Sequence, residues 1–184
     1  GIRDLGRIDF RVTAEGEVFF LEVNALPSLE SGASIYRAGQ LAGLANDAAV
    51  YERVIASAAR RFGIPVTRSP ARRRAPLRIA VTYNPEDPAV PEAAGTRGTT
   101  AATVEAIRRA VESFGHEALG IEATSELSTI LPASQIDFTL NLADGLKGRA
   151  RRAQVPALLD LLDSPYVGSD PTALAVASDR GLAR

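Results

Sequence analysis

The chain has 184 residues, 46% of them apolar and 23% charged, with a formal net charge of −1; these are the proportions of a globular protein, and near-neutrality excludes the basic footprint of a nucleic-acid binder. Cysteine is absent, which excludes disulfides and zinc–thiolate sites and suits a reducing cytoplasm. No apolar run approaches the roughly 18 residues of a membrane span, so no membrane segment is expected, and no signal peptide is visible.

The first element expected is a β-hairpin. Ile8, Phe10 and Val12, then Val18, Phe20 and Leu21, alternate as strands do, and Ala14-Glu15-Gly16-Glu17 supplies a polar turn. With the tip near residues 14 to 16, Asp9 falls opposite Glu22, and Asn24, two residues on, shares the face of Glu22. Two carboxylates and an amide oxygen are hard ligands that suit Mg2+ (or Mn2+), a cation that takes its remaining ligands from water and substrate phosphates. It also removes the repulsion between two close carboxylates. Taken singly, Asp9 and Glu22 would read as solvated positions on a polar sheet face.

The surrounding string changes that reading. Arg7-Ile8-Asp9-Phe10, followed across the turn by Leu21-Glu22-Val23-Asn24-Ala25-Leu26-Pro27, resembles the C-terminal signature of the ATP-grasp carboxylate–amine ligases, specifically the D-alanine–D-alanine ligase family. The resemblance implies that Asp9, Glu22 and Asn24 are magnesium ligands and that Glu22 bridges the metal ions holding the phosphates of the co-substrate ATP. It implies that Arg7 is catalytic, steadying the transferring phosphoryl group and the tetrahedral intermediate. The family activates one small amino-acid carboxylate as an acyl phosphate and lets the amine of a second displace phosphate. Positioned positive charge does most of that work. Peptidoglycan biosynthesis and a cytoplasmic location follow from the same resemblance, and a homodimer is compatible with it.

Departures begin just past the metal ligands. The family reads Asn-Thr-x-Pro-Gly-x-Thr where this chain has Asn24-Ala25-Leu26-Pro27-Ser28-Leu29-Glu30. Ala33 occupies the position of the serine that holds the second substrate, and the adjacent Ser34 is the substrate-binding candidate if the loop shifts. The acceptor therefore need not be D-alanine.

Residues 34 to 62 have the spacing of two helices: Leu41, Leu44, Val50, Val54 and Ile55 recur at helical intervals, Asn46 or Asp47 can cap the second, and Gly63 ends it. Residues 64 to 76 carry three prolines and four arginines, a composition that forms neither a core nor a continuous helix and reads as a linker. The expected division is thus 1–63, the C-terminal part of an ATP-grasp domain, a linker over 64–76, and a second domain over 77–184.

That second domain opens on Leu77-Arg78-Ile79-Ala80-Val81-Thr82-Tyr83, an apolar run suited to a buried parallel strand. An exposed loop is expected over 84–98. A helix starting at Thr99 or Thr100 follows, with Val104, Ile107, Val111 and Phe114 on one face and Gly115 as its stop. Strand, short helix and strand are then expected over 116–121, 125–131 and 136–142, an α/β order with right-handed crossovers. The Gly-rich turn over 141–149 leads into a helix holding Val155, Leu158, Leu159 and Leu162. Such a turn either binds an anionic ligand or makes a tight connection.

With Ser164-Pro165-Tyr166-Val167-Gly168-Ser169-Asp170-Pro171 and Ala175-Val176-Ala177-Ser178-Asp179-Arg180, this half resembles the N-terminal, pre-ATP-grasp domain of the same ligase family, a Rossmann-like fold. The resemblance implies substrate contacts at Asn141 and Gly145 and puts Arg180 at the position of a lysine that reaches ATP, a change of reach and geometry. Arg152 replaces a common acidic residue. The family's loop for the first substrate is not recognisable, leaving Glu86 and Glu92 as candidates.

The order of the two pieces is reversed relative to the family. The expected explanation is a fragment spanning the junction of two tandem ligase-like units, with Asp9, Glu22 and Asn24 serving the upstream site and the turn at 141–149 the downstream one. The fragment alone is then inactive, because the family's central nucleotide-clamping domain is a required partner. The alternative is a non-catalytic binding or regulatory module that keeps the ligase fold. A nicotinamide site is not expected, since no Gly-x-Gly-x-x-Gly follows the strand at 77–83, and His116 reads as structural.

Overall fold

The computed structural model describes residues 1–64, 76–87, 89 and 98–178. The linker and Glu92 fall largely or wholly outside these residues, and Arg180 lies beyond them. The hairpin forms as expected from strands β1 (Arg7–Val12) and β2 (Val18–Asn24). Helices α1 (Ser34–Leu41) and α2 (Asp47–Arg61) follow. Helix α2 is built by local chemistry: the Asn46 side chain accepts from Ala49 N, Asp47 sits in the first turn, and Arg60 and Arg61 close the last, each complementing an end of the helix dipole. Its buried positions Val50, Tyr51, Val54, Ile55 and Ala58 form one apolar stripe.

The rest is a mixed α/β layer structure. Strands β3 (Arg78–Tyr83), β4 (Glu117–Glu122), β5 (Phe138–Asn141) and β6 (Tyr166–Val167) form a parallel sheet of spatial order β4-β3-β5-β6. Helices α3 (Ala101–Ser113), α4 (Leu127–Ala133), α5 (Gln154–Leu161) and α6 (Pro171–Ser178) complete it. Elements expected over 77–83, 116–121, 125–131 and 136–142 all appear, displaced at their ends by one or two residues. Strand β6 and helix α6 were not expected as elements. Two residues of strand carry no periodicity to read, and α6 is a mostly apolar helix of eight residues.

The two faces of the sheet are covered differently. Ile79, Val81, Phe138, Leu140 and Val167 face a core shared with α3 and also with α1, α2 and the preceding loop, through Leu29, Tyr36, Val50, Tyr51, Val54, Ile55 and Ala58. The opposite face, through Ala80 and Tyr166, packs on α4 and α5 at Leu127, Leu131, Val155 and Leu159. Helix α2 thus does the work of a sheet-covering helix for the second half of the chain. A piece of about 60 residues is marginal by itself, and this packing supplies the core it lacks. Phe62 adds edge contacts with Phe138 and Tyr166, at centroid distances of 6.5 and 5.9 Å.

The joint is also held by a polar lock. Asp4, whose side chain is 4% exposed, lies 2.5 Å from Arg61 Nη2. Its carboxylate also accepts from Ser57 Oγ and Gly168 N, at 3.1 and 3.0 Å. The Arg61 guanidinium stacks on the Phe62 ring at 4.4 Å and donates to the Tyr166 carbonyl at 2.9 Å. The hairpin, in contrast, stands clear: Ile8, Phe10, Val12, Val18 and Phe20 on one of its faces are each more than half exposed.

Candidate functional site

The hairpin ladder pairs Arg7 with Asn24 and Asp9 with Glu22, then Phe10 with Phe20, leaving Leu21 without a partner. Partners directly opposite in an antiparallel pair share a face, and residues two apart along a strand do too. Arg7, Asp9, Glu22 and Asn24 therefore occupy one face, and Phe10 and Phe20 meet on the other at 6.2 Å. The bulge at Leu21 is required for this. Glu22 lies two residues from Phe20, whereas Asp9 is only one from Phe10, and a regular ladder would put Glu22 opposite Ile8.

On that face the Arg7 guanidinium spans both carboxylates. Its Nε lies 3.0 Å from Asp9 Oδ1, its Nη2 3.0 Å from Asp9 Oδ2 and 3.7 Å from Glu22 Oε1. The Glu22 side chain is 58% exposed and that of Asp9 34%. Asn24 Oδ1 accepts from Leu26 N at 3.1 Å, which fixes the turn out of β2 and leaves the oxygen a second lone pair. An all-oxygen donor set across which a cationic group already lies fits a hard divalent cation. Among the described residues no group of three or more Asp, Glu, His or Cys side chains is placed to hold a metal ion, and the hairpin itself offers two carboxylates and an amide.

Two clefts flank this face and share Arg7 and Glu30. One, of about 570 Å³, is lined by Arg7, Asn24 and Glu30 on one side and by Asn84, Thr99 and Asp144 on the other. It lies at the carboxyl ends of β3 and β5, on either side of which the sheet connections diverge, the usual ligand position in a parallel sheet. Asn24 from the hairpin and Leu142 and Asp144 from the turn after β5 thus line one cleft, whereas Asp9, Glu22, Asn141 and Gly145 are not part of its lining. The second, of about 620 Å³, runs from Asp9 past Ser28 to Ala33 and Ser34 at the start of α1. Ser34 is exposed and shares this cleft with Arg7 and Asp9.

The turn after β5 is a tight connection. Asn141 is 4% exposed, and its Oδ1 accepts from Thr82 Oγ1 and Ala143 N at 2.9 and 3.1 Å. That oxygen holds the turn. Gly145 has φ +79, and a Cβ there would stand 2.0 Å from the Arg151 carbonyl oxygen, so its lack of a side chain serves the close approach to the start of α5. Gln154 staples the same turn, accepting from Leu146 N at 2.9 Å and donating to Lys147 O at 2.8 Å. Arg152 pairs with Asp144 at 2.6 Å. His116 accepts from Leu77 N at 3.4 Å, and burial lowers its pKa, in keeping with a structural residue.

Sequence reasoning passed over two sets of residues that build the cleft wall. Tyr36 hydroxyl donates to the Leu29 carbonyl at 2.5 Å and lies 2.5 Å from the Tyr51 hydroxyl, so Tyr51 is left to donate to Tyr36. Glu30 accepts from Thr100 N, Thr100 Oγ1 and Thr103 Oγ1 at 2.9, 2.8 and 2.6 Å. The available signal was two tyrosines on apolar helix positions and a glutamate at a departure from the ligase string.

Comparison with known proteins agrees with the hairpin. Residues 1–56 match the family model described as D-ala D-ala ligase C-terminus. An uncharacterized protein, y4sG of Sinorhizobium fredii, is 30% identical over 88 residues, 44% of this chain and 26% of that protein. The D-alanine–D-alanine ligase of Aquifex aeolicus is 61% identical over 28 residues, 15% of this chain and 10% of the ligase. The chain thus matches about a quarter of one relative's length and a tenth of the other's. A solved D-alanine–D-alanine ligase from Bacillus anthracis, complexed with ATP, aligns with a TM-score of 0.37 at 20% identity, over 58% of this chain and 33% of that one. Residues 1–56, which carry Arg7, Asp9, Glu22 and Asn24, are thus similar to the C-terminal part of the D-alanine–D-alanine ligases.

Proposed function

We propose that this chain carries part of the active site of an ATP-dependent carboxylate–amine ligase that forms an amide bond between two small amino-acid or carboxylate substrates. The observation that carries the reading is the bulged hairpin, which sets Arg7, Asp9, Glu22 and Asn24 on one face beside two clefts. Asp9, Glu22 and Asn24 would hold Mg2+ or Mn2+, which supplies neutralising charge for the ATP phosphates. Arg7 is the protein's own positive charge. It lies between the carboxylates and lines both clefts, where it can stabilise charge on a transferring phosphoryl group and then on the acyl phosphate as an amine displaces it.

The family's central nucleotide-clamping domain is the partner we propose for the hairpin. The apolar face of Ile8, Phe10, Val12, Val18 and Phe20 is uncovered, as expected of a strand pair designed to be covered by further structure. The product class is a cell-wall dipeptide or a relative of one made in the cytoplasm, with an acceptor other than D-alanine allowed by Ala33. The test is amide formation by the full-length protein, read as ADP release and product mass with amino-acid pairs in Mg2+. ATP turnover dependent on both amino acids is expected there and not from the 184 residues alone. A full-length protein that turns over no ATP would favour the non-catalytic module instead.

A further inference from the structure

Glu30 contacts a segment 70 residues away in sequence. It sits on the loop that leaves β2, six positions beyond Asn24, and its carboxylate accepts from the N–H and hydroxyl of Thr100, the N-cap of α3, and from the hydroxyl of Thr103 in its first turn. A carboxylate there is favoured by the helix dipole as well as by three hydrogen bonds. The same loop is anchored on its other side by Tyr36 at the Leu29 carbonyl and by Ser169 Oγ, 3.4 Å from the Ala25 carbonyl. Arg7 and Asn24 enter the 570 Å³ cleft from one wall, Asn84, Thr99 and Asp144 from the other, and Glu30 bonds across it.

From this geometry we infer that Glu30 is a positioning residue that latches the two walls, so that the hairpin residues and the parallel-sheet residues of this one chain serve a single reaction. The inference rests on the ligase reading above and specifies it: the reversed order of the two halves does not divide them between separate sites. Glu30 contacts its partners through the protein and not through substrate. Its effect is exerted on where Ser28 and Ser34 stand relative to Arg7, since all three line the cleft that Glu30 also borders.

The experiment compares Glu30→Ala, Glu30→Gln and Thr103→Val in the full-length protein. Misplacing a binding loop by about an ångström costs up to about 100-fold in kcat/KM, and the loss is expected in KM for the amino-acid substrates with KM for ATP unchanged. Glu30→Gln keeps one acceptor oxygen and recovers part of the loss, as Thr103→Ser does relative to Thr103→Val. The Glu30→Ala/Thr103→Val double variant is expected to be no worse than the poorer single variant. If the wild type ligates but Thr103→Val leaves every KM unchanged, or the two effects multiply, the latch falls and the ligase reading stands. If the wild type ligates nothing, the ligase reading falls. Hydrogen exchange at Thr100 N then decides the latch alone: faster exchange in Glu30→Ala supports it, and unchanged exchange overturns it.

Discussion

Asp9 stands directly opposite Glu22 because Leu21 is left out of the ladder between them. That one-residue bulge brings two carboxylates to one face, with Arg7 and Asn24 opposite each other one step along the same face. Glu22 is exposed, Asp9 is half-buried and the salt bridges about them are partly solvated, so their chemical role and their contribution to stability are separable.

Asp9→Asn and Glu22→Gln are therefore expected to raise the Mg2+ concentration needed for half-maximal ligation by at least about 10-fold in the full-length protein. The unfolding free energy of either variant should stay within about 1 kcal/mol of the wild type. Magnesium titration of activity beside urea unfolding checks both halves. A variant that loses stability and keeps its magnesium dependence would remove the pair from the metal site.

The Asp4–Arg61 pair should behave in the opposite way. Arg61→Ala leaves a carboxylate that is 4% exposed with two neutral donors and no cation, a change that costs about 3–5 kcal/mol. Asp4→Asn with Arg61→Ala should cost less than Arg61→Ala alone, because no charge is then buried. Equilibrium urea denaturation of the two variants measures the difference.

Alkaline pH should destabilise the fold. Burial raises the pKa of Tyr36, Tyr51 and Tyr166 above the ordinary 10.0. A group whose folded pKa is raised contributes its full stability below the unfolded pKa and loses it as pH rises toward the folded one. Stability should hold up to about pH 10 and then fall by about 1.4 kcal/mol per pH unit for each phenol ionised only in the unfolded chain. Tyr36→Phe should reduce that slope while costing about 1–3 kcal/mol at neutral pH, since it leaves the Leu29 carbonyl and the Tyr51 hydroxyl without a partner. Denaturant midpoints between pH 8 and 11 give the slope.

Gly145→Ala and Gly148→Ala separate backbone conformation from close approach. Both glycines have positive φ, +79 and +95, but a Cβ at Gly148 meets nothing within 4 Å while one at Gly145 meets the Arg151 carbonyl at 2.0 Å. Gly148→Ala should cost about 1–2 kcal/mol, the strain of the left-handed backbone. Gly145→Ala should cost clearly more and move the start of α5, visible as shifted amide resonances for Arg151 to Gln154.

What the amino-acid order determined by itself was local. Alternation at Ile8, Phe10 and Val12, the Asn46 and Thr100 caps, and the apolar run at 78–83 each specify an element through contacts a few residues apart. The string around Asp9, Glu22 and Asn24 was legible because its chemistry and family likeness lie within one hairpin. Tertiary structure alone decided the bulge at Leu21, the use of α2 to cover the parallel sheet, and the bond from Glu30 to Thr100. Each depends on which distant surfaces bury most apolar area and satisfy most polar groups together, a non-local balance to which spacing and propensity give no access. Asn141 and Gly145 show the same limit from the other side. Their sequence suits a ligand loop, and only the tertiary structure shows Arg151 and Gln154 packed against the turn.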